Sequence, residues 1–270
     1  MKVALLLTGQ IRTNELCRHI FKKTLIEKYD VDTFLSIDTD NKLQEASLNS
    51  TEKTSYDVIS NAIEYYNPVD SYVCETYDDL FKEKQQLLDN NLPYDKRYKM
   101  ILEQYYIVYK AYEMLQLHVN NTGVKYDIVI RLRFDQFIWS DATSTLSKYV
   151  MSCGNVKFNN DNINMVSNEV NGNLKIELDS PTNNEICTLG WKVTNTWNDY
   201  VNDQFWIHSY ALTNLISKFY IDLPGLINTH SYYASKGPFI EVLFYQFLKQ
   251  NRINVRQSKI TGKFCREYTM

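Results

Sequence analysis

The sequence predicts an α/β protein built on a mostly parallel central sheet, and three observations carry that prediction. Apolar runs of strand length alternate with amphipathic helical stretches through the first half. The first run, residues 3–7, is apolar at every position, as a strand covered on both faces must be. Polar and charged residues then collect directly after the apolar runs, at 8–13, 38–40 and 131–135, where open α/β sheets bind their ligands.

Taken in order, residues 3–7 form the first strand and 8–13 the turn at its carboxyl end. Residues 15–28 place Leu16, Ile20, Phe21, Leu25 and Ile26 on one side of a helix. Residues 31–37 form a second strand that runs into Asp38, Thr39 and Asp40, and the polar stretch 41–55 reads as loop. Residues 56–66 fit a helix stopped ahead of Pro68, and 69–74 a third strand. The clearest helix spans 97–118, where Ile101, Tyr105, Val108, Tyr112 and Leu115 fall on one face. Residues 126–132 form a short central strand followed by Phe134 and Asp135. Beyond 150 the texture changes. Residues 155–184 are polar and Asn-rich, and Asn171 followed by Gly172 is a hairpin signal because both tolerate positive φ. Strands over 205–207 and 253–257 and helices over 209–219 and 241–249 complete the expectation. With no repeat and no Pro/Ser linker, residues 1–270 read as one domain with an irregular second half.

Composition narrows the function. The chain has 270 residues, 44% of them apolar, and a net charge of −3. It can bury a sizeable core, and a charge so near zero argues against a nucleic-acid partner. Glycine occurs only 8 times, and the closest pair is Gly225 and Gly237. That spacing excludes the G-x-G-x-x-G dinucleotide loop, the G-x-x-x-x-G-K phosphate loop and the G-x-S-x-G nucleophile elbow. The 5 cysteines are too far apart for zinc-ribbon or redox pairs and suit reduced thiols, and the 4 histidines form no H-E-x-x-H. The leading apolar run is too short for a signal-peptide core or a membrane span, so the expected setting is soluble and cytoplasmic.

Residues 131–135 are the most informative. By strand alternation Arg131, Arg133 and Asp135 share one face at the end of a buried strand. Such charges are costly unless paired or serving a ligand. One reading is an internal Arg–Asp ion pair at the sheet rim. The other is a diphosphate and metal site, with arginines forking phosphate oxygens and Asp135 holding a divalent cation.

Four segments, KVALLLTGQIRT near the start, YDVDTFLSI at 29–37, YDIVIRLRFD at 126–135 and NDQFWI at 202–207, together resemble a group of glycosyltransferases. These occur in bacterial polysaccharide loci and in large DNA viruses. The resemblance implies a GT-A-like fold, a nucleotide-diphospho-sugar-binding α/β/α sandwich. Residues 1–140 would be its nucleotide-binding half and 141–270 its acceptor-side half. It implies that Thr8, Gly9, Gln10 and Arg12 lie against the nucleotide and that Asp38 sits near the base or ribose. Asp135 would occupy the last position of the Asp-x-Asp metal motif. The sequence departs from the motif at its first position, which is Arg133. Either Mg²⁺ or Mn²⁺ is held by one carboxylate and the substrate phosphates, or Arg131 and Arg133 replace the metal as a positive clamp.

On the acceptor side, Asp203 would take the proton of the attacking sugar hydroxyl in an inverting transferase. A turn aspartate or helix cap is the equal alternative. Glu241 is a rival base, although an acid in a first helical turn is favoured by the dipole alone. His208 and His230 read as structural residues, with metal ligand or acceptor contact as the lesser alternative. The implied reaction moves a sugar from a nucleoside-diphosphate donor to a hydroxyl of a glycan, lipid-linked sugar or glycoprotein. The C-terminal segment adds Lys249, Arg252, Arg256, Lys259, Lys263 and Arg266, a net +5 after Glu267 that leaves −8 elsewhere. A solvated surface is the usual meaning. The sharper one is a flap over the diphosphate, or a peripheral membrane contact with an anionic lipid-linked acceptor. Two rivals remain. A sugar nucleotidyltransferase would want a Gly-rich basic loop, where residues 8–13 hold one Gly and one Arg. A non-catalytic nucleotide- or glycan-binding protein is kept open by Arg133 at the motif position.

Overall fold

The computed structural model describes residues 1–11, 17–18, 21–39, 54–75, 96–139, 176–189, 201, 203–230 and 239–264. The chain opens with strand β1 (Lys2–Gln10) and, after a π-helical turn at Lys22–Ile26, continues into β2 (Asp30–Asp38). Helix α1 (Tyr56–Tyr66) follows, then β3 (Asp70–Cys74), the long helix α2 (Lys96–Thr122), β4 (Ile128–Arg133) and β5 (Gln136–Trp139). The second half supplies β6 (Glu185–Thr188), β7 (Trp206–Ser209), α3 (Thr213–His230), α4 (Phe239–Gln250), β8 (Asn254–Gln257) and β9 (Thr261–Phe264).

Seven strands form one sheet in the order β3-β2-β1-β4-β7-β6-β8, and β5 pairs with β9 in a separate ribbon. β1 is parallel to β2 and β4, β2 to β3, and β6 to β8. β7 is antiparallel to both its neighbours, so it alone runs against the rest. The chain builds outward from β1 to β3, then returns across β1 to lay down β4. The β1–β4 boundary is therefore the topological switch point, outside whose carboxyl ends ligands of such sheets sit.

Local sequence explains the boundaries. α1 starts at Ser55, whose Oγ accepts from the Val58 N–H at 3.4 Å, and ends at Asn67 in the left-handed region, one residue before Pro68. β1 runs three residues further than its apolar core suggests. Thr8, Gly9 and Gln10 are strand, not turn, because the ladder continues through Thr8↔Arg133 on one side and Gln10↔Asp38 on the other. Gly9 is needed for its φ of 106°, which a side chain would strain. α3 also outruns expectation, starting at Thr213 and passing through Pro224 to His230. The second half is less irregular than expected where it is described: β6, β7 and β8 complete the same sheet. Their pairings link residues 128–131 with 206–209 and 185–188 with 254–257, long-range contacts that no local pattern announces. The Asn171 hairpin signal lies outside the described residues.

Strand alternation divides the core in two. Ala4, Leu6, Phe34, Val129 and Trp206 face α2, α3 and α4. Val3, Leu5, Leu7, Leu35, Ile37, Ile130 and Leu132 face α1 and the Phe21–Leu25 turn. Fully burying each such leucine contributes about 2 kcal/mol. Towards the carboxyl ends the two faces diverge. The α1 face stays apolar through Leu7, Ile37 and Leu132, whereas the α2 face turns polar at Thr8, Gln10, Ser36, Asp38, Arg131 and Arg133. Among the described residues, no helix is long and apolar enough to cross a membrane.

Candidate functional site

The polar face centres on Arg131, buried to 1% exposure in the middle of the sheet. Its Nε donates to Thr8 Oγ1 at 3.0 Å and its Nη1 to the backbone carbonyl of Asp203. The guanidinium carbon lies 4.7 Å from the centroid of the Trp206 ring, a cation–π contact. Among the described residues no carboxylate forms an ion pair with it. Burial accordingly pulls its pKa below the ordinary arginine value, with Tyr105 and Asp203 acting in the opposite direction.

Trp206 is itself fixed. Its Nε1 donates to Tyr112 OH at 2.9 Å, and that hydroxyl meets His208 Nε2 at 2.7 Å. His208 Nδ1 lies 2.7 Å from the Ser209 carbonyl, so Nδ1 carries the proton and Nε2 accepts from Tyr112. Burial lowers the His208 pKa to about 4, keeping the ring neutral. His208 is thus a satisfied core residue beneath Arg131 and not a metal ligand. His230 lies in the last turn of α3, away from this cluster in the sequence of elements.

Next to Arg131, Arg133 forks Asp135: Nε to Oδ1 at 2.9 Å and Nη2 to Oδ2 at 3.0 Å. Asp135 is 1% exposed. Burial works against the Arg133 charge, but the Asp135 carboxylate more than offsets it and the net shift is upward. The ion-pair reading of this segment is therefore what the geometry presents, and both Asp135 oxygens are engaged. Across β1, Gln10 Nε2 reaches Asp38 Oδ2 at 3.4 Å, both residues being buried. Among the described residues no group of three His, Cys, Asp or Glu side chains could hold a metal ion. Gly9 contributes backbone only, and Arg12 lies outside the described residues.

Asp203 and Glu241 come together from separate elements. Asp203, 3% exposed, precedes β7; Glu241 sits in the first turn of α4, whose backbone carbonyl accepts the Val201 N–H at 3.3 Å. Burial, and after it the charge of Asp203, raises the Glu241 pKa to about 8. Glu241 therefore carries a proton at neutral pH. Two residues of α2 join the pair, Gln104 donating to Asp203 Oδ2 at 2.9 Å and Tyr105 OH to the same oxygen at 3.3 Å. Sequence reasoning missed both. Tyr105 fits the apolar stripe of α2 and only its hydroxyl departs from it, while Gln104 borders the stripe like any solvated residue.

In the basic C-terminal run Lys249, Arg252 and Lys259 are exposed, whereas Arg256 is tied into the fold. Arg256 on β8 donates from Nη1 to Asp179 Oδ1 and from Nε to Glu185 Oε1, both at 3.1 Å. Asp179, fully buried, also accepts from Ser258 Oγ and from the Lys259 N–H. The Lys263 side chain and Arg266 lie outside the described residues. Neither the known protein families nor the curated proteins include a match to this chain.

Proposed function

We propose that the protein is a GT-A-type glycosyltransferase that moves a sugar from a nucleoside-diphosphate donor to a hydroxyl of a glycan, lipid-linked sugar or glycoprotein. The observation that carries this reading is Arg131: a buried guanidinium, unpaired by any described carboxylate, at the switch point of a mostly parallel sheet. An uncompensated buried cation costs several kcal/mol, roughly, and is retained where an anion completes it. With Arg133 beside it, the chemistry matches a diphosphate leaving group. Thr8 and Gln10 on β1 and Asp38 on β2 border the same face and suit the nucleotide.

A divalent cation is a poor fit to the described residues. Both Asp135 oxygens face Arg133, and no carboxylate cluster forms beside them. The arginine clamp therefore takes the leaving-group charge in this proposal, and no step runs through Mg²⁺ or Mn²⁺. The paired carboxyls Asp203 and Glu241, beyond the end of β4, favour a transferase over a nucleotide-binding protein without catalysis, which has no use for a base. A nucleotidyltransferase is disfavoured by the same pair and by the single arginine of residues 8–13.

Thermal unfolding against UDP, GDP, CDP and dTDP sugars, with and without Mn²⁺, tests the reading. A donor at a hundred times its Kd adds about 2.7 kcal/mol, a clear midpoint shift. The expected result is a shift with one base, unaffected by metal, followed by release of the nucleoside diphosphate when acceptor is added. Pyrophosphate release instead would identify a nucleotidyltransferase. No shift with any donor in the folded protein would refute the proposal.

A further inference from the structure

The hydrogen bonds around Asp203 are one-sided. Gln104 and Tyr105 both donate to Oδ2, and among the described residues nothing donates to Oδ1. A carboxylate only accepts, so the Gln104 amide must turn its nitrogen, not its oxygen, towards it. Tyr105 is equally committed. Burial, and after it the Asp203 charge, holds its hydroxyl well above the ordinary tyrosine range, so it stays a donor. Its ring meets Phe219 edge-on with centroids 4.8 Å apart, which fixes the direction of the hydroxyl. The backbone of Asp203 is held separately, through its carbonyl, by Arg131. One carboxylate oxygen is thus anchored twice from α2 while the other, in a residue only 3% exposed, is left without a described donor. That second oxygen is an acceptor left open to a donor from a ligand.

We infer that Gln104 and Tyr105 are positioning residues that lock Asp203 through Oδ2 and present Oδ1 to the attacking hydroxyl of the acceptor. The inference rests on the transferase reading above. In the step it describes, the acceptor hydroxyl gives its proton to Oδ1 while its oxygen bonds the anomeric carbon. The bond from that carbon to the donor's diphosphate oxygen breaks, its electron pair leaves with the diphosphate, and Arg131 and Arg133 meet that charge. A general base works only when aimed, and the two α2 donors supply the aim. The charged and titratable groups around Asp203 include Tyr105 on α2, Arg131 and Arg133 on β4 and Glu241 on α4.

Tyr105→Phe keeps the ring against Phe219 and removes the hydroxyl alone; Gln104→Leu removes the amide donor. In each, kcat is expected to fall about tenfold with the donor KM unchanged. The unfolding midpoint stays near the wild-type value, so the loss falls on kcat alone. A purely structural role would lower the unfolding midpoint and leave kcat of the folded variant unchanged. Asp203→Asn serves as the reference and is expected to abolish transfer while donor binding persists. If Asp203→Asn is inactive but either folded α2 variant turns over like the wild type, the positioning role is overturned and the transferase reading stands. If the wild type binds no donor and transfers no sugar, both fall together.

Discussion

Arg131 and Arg256 answer the same problem in opposite ways. Arg256, at the β8 edge, has a side chain 38% exposed and meets two carboxylates, Asp179 and Glu185. Arg131, in the middle of the sheet, is 1% exposed and meets none among the described residues. Desolvation would dictate the reverse, since the buried cation needs the counter-charge more. Arg256 closes a structural network that ties the β8 edge to residue 179. Arg131 is an open charge held in place by neutral groups, namely a threonine hydroxyl, a peptide carbonyl and an indole face. The contrast separates a residue that completes the fold from one that, in the proposed function, the diphosphate completes.

The most direct way to break the comparison is Arg131→Met. Removing an arginine that no described carboxylate pairs should leave the unfolding midpoint near the wild-type value. Donor-dependent turnover should fall about a hundredfold or more, the scale for losing a preorganised charge at a leaving group. Steady-state kinetics beside a melting curve checks both parts, and a large stability loss with intact turnover would make Arg131 structural after all. Asp135→Ala comes next. It releases the Arg133 fork and is expected to lower turnover about a hundredfold, on the order of 3 kcal/mol of barrier. Chelation with EDTA should leave wild-type turnover in place. Turnover that vanishes with EDTA and returns with Mn²⁺ would restore Asp135 as a metal ligand.

These contrasts were only partly legible in the sequence. The first four sheet strands and α2 were readable because apolar runs and a single-face helical stripe are local signals. Arg131, Arg133 and Asp135 stood out because charge at the end of a buried strand is conspicuous. What the alternation rule could not supply was the division of labour, with Arg133 taking Asp135 and Arg131 taking none. That depends on the turn at Phe134 and on the arrival of Asp203 from more than sixty residues away, a contact visible only once β7 pairs with β4. The Arg256 network was hidden for the same reason. A basic residue in such a run looks alike in sequence whether it faces solvent or, as Arg256 does, a buried aspartate from another segment. Thr8–Gln10 read as a turn because polar residues suggest one, yet strand pairing on both sides outweighs local polarity.

Arg256→Met sharpens the comparison from the other side. It leaves Asp179 buried with Ser258 and the Lys259 N–H as its remaining donors. Because Arg256 is more than a third exposed, solvent softens the loss, and the expected cost is about 1–2 kcal/mol. Turnover should not change at saturating donor. Denaturant melts resolve a shift of that size, and a parallel fall in kcat would show that the edge network communicates with the site.

The smallest expected effect concerns Glu241 and pH. Its pKa is raised to about 8, by burial first and by the Asp203 charge second, from an ordinary value of 4.5. The folded state therefore holds a proton that the unfolded chain releases above pH 4.5. Stability associated with the protonated group is fully present below that pH and is lost as pH rises towards 8, where the folded carboxyl also ionises. Glu241→Gln keeps a neutral side chain of similar shape at every pH. Its melting midpoint should match the wild type near pH 4 and exceed it by pH 8, the gap opening across the interval between. Transfer should survive the substitution if, as proposed, the proton acceptor is Asp203, beside which Glu241 stays neutral. If the gap fails to open, Glu241 is ionised in the fold and the two carboxyls are not a neutral–charged pair. If transfer is abolished while the gap opens, the base is Glu241, and the open charge of Arg131 faces a different acceptor side from the one proposed.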